Sequence, residues 1–141
     1  QFPNNSAELK KLKGVGAYTA AAIASICFEE PQPVLDGNVY RLFARFFGLH
    51  TPIQTPAAAN EFTRLGKKLI GFAQPSAFNQ AIMEFGALQC KPQSPDCEKC
   101  VLQSRCYAFQ NQSVSQLPVK KTKTATRVRH LHYLILQNAN G

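Results

Sequence analysis

Four of the five cysteines in this 141-residue chain lie between residues 90 and 106, in the stretch CKPQSPDCEKCVLQSRC. Cys90, Cys97, Cys100 and Cys106 have the spacing C-x6-C-x2-C-x5-C. The polar start QFPNNSAELKK lacks the character of a secretory signal, and thiols inside cells stay reduced, so the spacing favours one four-thiolate metal site over disulfides. Zinc and a [4Fe-4S] cluster both accept four thiolates, so the ligands alone leave the metal open.

The charge of the chain is positive and unevenly distributed. It has 16 Lys and Arg against 8 Asp and Glu, and residues 107–141 contain five basic residues and no acid. This balance predicts a polyanionic partner, and a basic surface without a ligand is the alternative. No apolar run approaches the roughly 20 residues of a membrane span, so we expect no membrane partner and an intracellular protein, in the cytoplasm or nucleoid, or in a nucleus or mitochondrion.

A run of predicted helices precedes the cysteines. SAELKKL is predicted as a short helix with Ser6 as its N-cap, and AYTAAAIASICF as a second that ends before Glu29. The turn KGVG between them makes the pair a helix-hairpin-helix. DGNVYRLFARFFGL is predicted as a helix with one apolar face and with Arg41 and Arg45 elsewhere. Two further helices are expected over residues 55–70 and 76–88.

Composition changes after the last of the four cysteines. NQSVSQLPVKKTKTAT, residues 111–126, has the Ser, Gln, Lys and Thr bias of a linker. RVRHLHYLILQ is typical of a β-strand, and the following NANG of a turn. A lone strand cannot bury its own apolar face, so residues 127–141 are expected to begin a second domain. Outside the four-cysteine motif, Cys27 is predicted to be a packing residue, and His130 and His132 to be surface residues.

Four motifs occur in the order that is characteristic of one enzyme family. LKGVGAYTAAAI, VLDGNVYRLFARFFGL, FNQAIMEFGALQC and the four-cysteine spacing resemble the endonuclease III superfamily of DNA glycosylases. The resemblance covers about residues 2–109 and is closest to the MutY branch, which removes adenine mispaired with 8-oxoguanine or guanine. It implies a mainly α, partial helix-hairpin-helix DNA glycosylase fold with an iron–sulfur cluster loop, followed by a linker and the first strand of a C-terminal Nudix-like domain.

The resemblance divides the chain into four parts. Residues 1–33 would end the six-helix domain, 34–110 would form the cluster domain, 111–126 the interdomain linker, and 127–141 the start of the Nudix-like domain. Within the cluster domain, the four cysteines are implied to hold a [4Fe-4S] cluster instead of zinc. That cluster would brace a loop that presents Lys91, Lys99 and Arg105 to double-stranded DNA.

The hairpin is a second implied DNA contact. Glycines let the backbone turn tightly and approach a ligand, and the free amides of a helix start form an anion site. By resemblance, a DNA phosphate would bind at Lys13, Gly14, Val15 and Gly16, and the carbonyls of Leu12 and Val15 would bind a monovalent cation. Lys13 is a departure from the family, which generally has proline there.

Asp36 is the predicted catalytic residue. An isolated aspartate before a helix is more often an N-cap, but Asp36 matches the superfamily's catalytic aspartate, whose carboxylate would stabilise the sugar cation formed as a base leaves. Asn38 and Tyr18 match further active-site positions, with a first-turn helix residue and core packing as their alternatives. Strand-cutting relatives have a lysine at the position of Tyr18, so the resemblance implies a monofunctional glycosylase.

The family's second catalytic carboxylate, a glutamate, lies upstream of the hairpin, and nothing in this chain matches it. We therefore expect an internal piece of such a glycosylase that is inactive alone and is completed by the rest of the same polypeptide. Two alternatives remain open: a thymine-mismatch glycosylase of the same superfamily, and a non-catalytic DNA-binding module.

Overall fold

The computed structural model describes residues 2–121 and 131–134, and this part of the chain is helical. The elements in chain order are α1 (Ser6–Leu9), α2 (Ala17–Phe28), α3 (Gly37–Phe47), α4 (Pro56–Ile70), α5 (Pro75–Leu88), a 3-10 turn (Gln103–Arg105) and α6 (Tyr107–Gln110). The mainly α class is confirmed. The predicted strand over 127–137 lies largely outside the described residues, and its described part, 131–134, is not in a strand. No helix in the described part is long and apolar enough to cross a membrane.

Side-chain caps begin α3 and α4, as the sequence indicates, whereas α2 and α5 begin without a side-chain cap. Asp36 caps α3 and Thr55 caps α4, each accepting a hydrogen bond from a backbone amide three residues on. The prediction for α1 was wrong in one respect, because its N-cap is Asn5, whose side chain accepts from the amide of Glu8 at 2.9 Å. The Ser6 hydroxyl instead donates to the carboxylate of Glu30 at 2.7 Å.

Helix α3 supplies half of the buried residues of the main core. It packs on α5 and α6, and α2 packs on α5 and on α1. The main core consists of apolar side chains from α3, α4, α6 and the segment that follows α6: Val39, Leu42, Phe43, Ala44, Ala58, Phe62, Ala108 and Leu117. Because α2 is apolar on all sides, Tyr18, Ile26 and Phe28 remain exposed on it. Cys27, predicted to pack, is also exposed.

The first part of the predicted linker is packed against this core. Leu117 is only 2% exposed, and the amide of Ile53 donates to the carbonyl of Val119 at 2.8 Å in an isolated parallel bridge. Apolar residues recur within the Ser- and Gln-rich stretch, and they provide the buried contacts that the overall composition conceals. Residues 113–120, called here the connector anchor, are therefore held by the helical domain.

Candidate active site and metal-binding loop

Asp36 is held on two sides at the start of α3. Its Oδ1 accepts the amide of Val39 at 2.8 Å, and its Oδ2 accepts Nδ2 of Asn38 at 2.9 Å. The carboxylate is half-buried and borders an open groove of about 530 Å³ between the starts of α3 and α4. The structure thus brings two of the three predicted catalytic residues into direct contact and leaves the carboxylate accessible from one side.

Asn38 connects this aspartate to the cysteine loop through Arg41. The Nη2 atom of Arg41 donates to Asn38 Oδ1 at 2.8 Å and to the carbonyl of Gly86 at 2.6 Å, and its Nε donates to the carbonyl of Cys90 at 2.7 Å. Burial and the neighbouring charge of Arg45 lower the pKa of Arg41, while the negative charges of a Cys90 thiolate and the Asp36 carboxylate oppose that shift. One guanidinium therefore fixes Asn38, α5 and the first cysteine relative to one another.

Tyr18 reaches the same region from α2. Its side chain is 50% exposed, and its hydroxyl lies 3.9 Å from the sulfur of Met83 on α5. Asn38 packs on α5 one turn further along, where its backbone lies so close to Gly86 that an added Cβ would be 2.8 Å from the Asn38 oxygen. Tyr18 and Asn38 thus contact one helix, without a direct hydrogen bond between Tyr18 and Asp36.

The hairpin has the geometry that the sequence predicts. Gly14 has φ +86, a left-handed conformation that favours glycine, and an extended Gly16 caps α2 without a side-chain hydrogen bond. The first amides of a helix have no intrahelical acceptor, so the start of α2 offers free donors. Lys13 is exposed beside them. The carbonyl of Leu12 already accepts the amide of Val15 at 3.1 Å.

The four predicted ligand cysteines line one cavity. Cys90 follows α5, Cys97 and Cys100 lie in the loop, and Cys106 precedes α6; all are half-buried. Burial raises the pKa of the Cys97 thiol, and the negative charges of the other three thiolates raise it further. Within the described residues none of the five cysteines forms a disulfide. Most of the remaining wall is apolar, from Leu42, Phe46, Phe85, Pro95, Leu102 and Val114.

Arg45 also lines this cavity and is 4% exposed. It donates to the carbonyls of Lys91 and Pro92 in the cysteine loop, at 2.6 and 3.3 Å, and to those of Val114 and Leu117 in the connector anchor, both at 3.0 Å. Its Nη1 lies 3.5 Å from Cys90 Sγ. No carboxylate forms an ion pair with Arg45 in the part that the structure describes.

The four thiols fit more than one kind of metal group. Within residues 2–121 and 131–134, no three Cys, His, Asp or Glu side chains converge on one metal ion. Four thiolate ligands suit zinc as well as an iron–sulfur cluster, and either group would carry a net negative charge that the buried guanidinium beside it balances.

The exposed basic residues of the loop are less uniform than predicted. Lys91 and Arg105 are exposed, whereas Lys99 forms an exposed ion pair with Asp96 at 3.4 Å. Arg41 and Arg45, placed by sequence away from the apolar face, are partly and fully buried and make the most hydrogen bonds in the site. The sequence feature that could have indicated their burial is their spacing of one turn on an apolar helix that lacks acidic residues to pair with them.

The structure is similar to solved DNA glycosylases. It aligns with a thermostable thymine-DNA glycosylase at TM-score 0.70 and 29% identity, over 79% of this chain and 51% of that one. It aligns with endonuclease III from a non-covalent DNA complex at TM-score 0.62 and 27% identity, over 79% of this chain and 50% of the other. No family model matches the sequence. The fold and the hairpin define the class as helix-hairpin-helix DNA glycosylases.

The sequence relatives are more specific. Adenine DNA glycosylases of Arabidopsis thaliana and Homo sapiens are 41% and 40% identical over 89% and 82% of this chain, and that of Buchnera aphidicola from Schizaphis graminum is 30% identical over 99%. The chain spans only 21%, 21% and 40% of the lengths of these relatives. It is therefore a homologue of part of the adenine DNA glycosylases.

Proposed function

We propose that this chain belongs to an enzyme that hydrolyses the N-glycosidic bond of adenine mispaired with 8-oxoguanine, or with guanine, in double-stranded DNA. The observation that best supports this proposal is the placement of Asp36, because its carboxylate is oriented by Val39 and Asn38 and borders an open groove. A fixed carboxylate beside the deoxyribose would stabilise the positive charge that develops as the base departs. Asn38 would position the carboxylate, and Tyr18 would contact the sugar or base.

The proposed enzyme cuts the base from the sugar without cutting the strand. Strand cleavage by β-elimination needs an amine that forms a Schiff base with the sugar, and tyrosine at position 18 supplies none. By resemblance, the proton donor for adenine is a glutamate outside residues 1–141. We therefore propose that residues 1–141 alone bind DNA weakly, in a salt-sensitive manner, and release no adenine.

Two surfaces would hold the DNA. The hairpin, with the free amides after Gly16 and the exposed Lys13, suits a backbone phosphate. The cysteine loop adds Lys91 and Arg105. These contacts carry no sequence information, so recognition of 8-oxoguanine would depend on the part that follows the connector anchor, where a Nudix-like domain is expected.

Cys90, Cys97, Cys100 and Cys106 would hold a [4Fe-4S] cluster. Their shared cavity and the neighbouring Arg45 support a four-thiolate site of net negative charge, and the choice of an iron–sulfur cluster over zinc follows from the resemblance. When bound, the cluster supplies four metal–thiolate bonds and a net negative charge to the loop. The purified protein should contain about four irons per chain. Stoichiometric zinc after iron-replete, anaerobic expression would contradict the assignment.

The function is tested by single-turnover incubation of the full-length protein with three duplexes: adenine opposite 8-oxoguanine, adenine opposite guanine, and thymine opposite guanine. Alkali then reveals abasic sites. We expect release of adenine, fastest opposite 8-oxoguanine. Release of thymine alone would favour the second candidate, a thymine-mismatch glycosylase, which the likeness to the thymine-DNA glycosylase structure supports. DNA binding without base release would indicate a non-catalytic module.

A further inference from the structure

We propose that Arg45 is a positioning residue that ties the connector anchor to the cysteine loop, so that a loaded four-cysteine site keeps residues 113–120 in place against α3 and α4. This inference rests on the [4Fe-4S] site proposed above. It concerns how the segment that leads out of the helical domain is held in place, and this role is separate from the catalytic role assigned to Asp36.

The geometry of Arg45 joins two segments that are far apart in sequence. Its Nε donates to the carbonyls of Val114 and Leu117, both at 3.0 Å, while Nη1 donates to the carbonyl of Lys91 at 2.6 Å. The guanidinium is a rigid planar fork, so its two ends cannot be repositioned independently. A shift of the cysteine loop at Lys91 is therefore transmitted to the connector anchor through one side chain.

Because Arg45 is both charged and buried, its hydrogen bonds to the connector anchor should depend on the charge held by the four-cysteine site. The side chain is 4% exposed and forms no ion pair within the described residues, and its nearest potentially negative neighbour is Cys90 Sγ at 3.5 Å. A buried cation is expensive unless an anion balances it. A four-thiolate metal site in the adjacent cavity carries a net negative charge and would provide that balance, whereas the empty site holds no bound counter-charge.

Solvent lies close to the Arg45 guanidinium and can hydrate it when no negative charge at the cysteine site balances it. An open groove of about 750 Å³ borders Arg45, with Pro92 to Pro95 on one side and Val114 and Ser115 on the other. Hydration of Arg45 through this groove would compete with its bonds to Val114 and Leu117. We therefore expect the connector anchor to open more often when the cysteine site is empty.

The connector anchor contains amides that can report such opening. The amide of Ser113 donates to the carbonyl of Ala108 at 2.8 Å, and those of Gln116 and Leu117 donate to the carbonyl of Ser113 at 3.0 and 3.2 Å. Exchange of these protons with deuterium requires the local bonds to open. Amides within α4, for example over residues 60–70, serve as an internal reference for global unfolding.

The experiment is hydrogen exchange with mass spectrometry on the full-length protein, with iron content and cluster absorbance measured on every sample. The samples are iron-loaded wild type, wild type stripped by an oxidant and EDTA, loaded Arg45→Met, loaded Arg45→Lys, and the control Arg64→Met at an exposed arginine of α4. Loss of charge-assisted hydrogen bonds should speed exchange at 113–120 by about tenfold or more, in stripped wild type and in Arg45→Met. The Arg64→Met profile should match wild type.

The other possible results either overturn the inference alone or contradict the cluster proposal as well. If Arg45→Met does not fold or load iron, the stripped and loaded wild-type samples still decide: equal exchange at 113–120 overturns the inference. Equal acceleration in α4 and in the connector anchor also overturns it, because the effect is then global. A loaded Arg45→Met with wild-type protection removes the inference but leaves the cluster proposal intact. Wild type without iron contradicts the cluster proposal and the inference together.

Discussion

The Nε atom of Arg41 donates a 2.7 Å hydrogen bond to the backbone carbonyl of Cys90. The same guanidinium binds Asn38, which in turn binds the carboxylate of Asp36. The predicted catalytic aspartate and the first cysteine of the metal-binding loop are therefore separated by two side chains. Disturbance of the loop is expected to reach the orientation of Asp36 by this route.

Arg41→Lys tests that connection. A lysine keeps the charge but is a point donor on a flexible stem, and it cannot contact Asn38, Gly86 and Cys90 together in this geometry. We expect a loss of about 2 kcal/mol in the free energy of unfolding and a slower single-turnover release of adenine. Arg64→Lys, at an exposed site of α4, is the control. Equal stability and equal rates for the two variants would show that the connection has no role.

Gly86→Ala tests the close packing of α3 on α5. An added Cβ would lie 2.8 Å from the backbone oxygen of Asn38 and 2.9 Å from its Cβ. Overpacking of this kind typically destabilises by about 1–3 kcal/mol, and here it would also displace Asn38 from Asp36. Gly71→Ala is the matched control, because its Cβ would meet nothing nearer than 3.6 Å and its φ is −64. Chemical denaturation of both variants should show a loss only for Gly86→Ala.

The adjacent acids Glu29 and Glu30 predict a pH dependence of stability. Hydrogen bonds from the side chain and backbone of Ser76 lower the pKa of Glu29 below its usual 4.5. Burial raises the pKa of Glu30, but hydrogen bonds from Ser6 and Gln32 and the charge of Lys67 together outweigh it, so the net shift is also downward. Because both pKa values are lower in the folded state, their stabilising contribution is full above pH 4.5 and is lost as the pH falls below it.

Thermal unfolding between pH 7 and pH 3 measures this contribution. The double variant with Glu29→Gln and Glu30→Gln should be less stable than wild type at pH 7 and should lose less stability on acidification. Glu98→Gln, in the exposed part of the cysteine loop, is the control and should follow the wild-type curve. Parallel pH curves for wild type and the double variant would contradict the assignment.

Tyr18→Lys tests whether position 18 faces the sugar. A lysine there would place an amine where strand-cutting relatives have one, and it could form a Schiff base with the opened sugar after base release. We expect borohydride to trap a covalent complex of the full-length variant with DNA, and none with wild type. Thr19→Lys, one residue further along α2 and also exposed, is the control. Equal trapping by both lysine variants, or none by Tyr18→Lys, would place the residue away from the sugar.

Local features of the sequence predicted the helices and part of the site. The caps of α2, α3 and α4, and the Asp36–Asn38 contact across two residues, depend on neighbours in the chain. Burial of the arginines could not be predicted in the same way. Arg41 binds a carbonyl 49 residues away and Arg45 one 72 residues away, so both depend on how the cysteine loop and connector anchor fold back.

The packing of the connector anchor could not be predicted from local sequence either. Its composition is that of a linker, and the side chains that hold it are dispersed among Ser and Gln. The hydrogen bond from the amide of Ile53 to the carbonyl of Val119 joins positions before and after the cysteine loop in the chain, which no local pattern indicates. The shared cavity of the four cysteines, in contrast, follows from their short spacing, and for that reason the sequence alone was sufficient to propose it.

The most direct measurement is the single-turnover rate of adenine release by full-length Asp36→Asn on a duplex with adenine opposite 8-oxoguanine. Asparagine keeps an oxygen for the amide of Val39, so the cap, the fold and DNA binding should survive, while the negative charge is lost. We predict a rate at least about a thousandfold below wild type, with an unchanged DNA dissociation constant and unfolding midpoint. A rate within about tenfold of wild type would show that Asp36 is a helix cap only, and the proposed catalytic role would be contradicted.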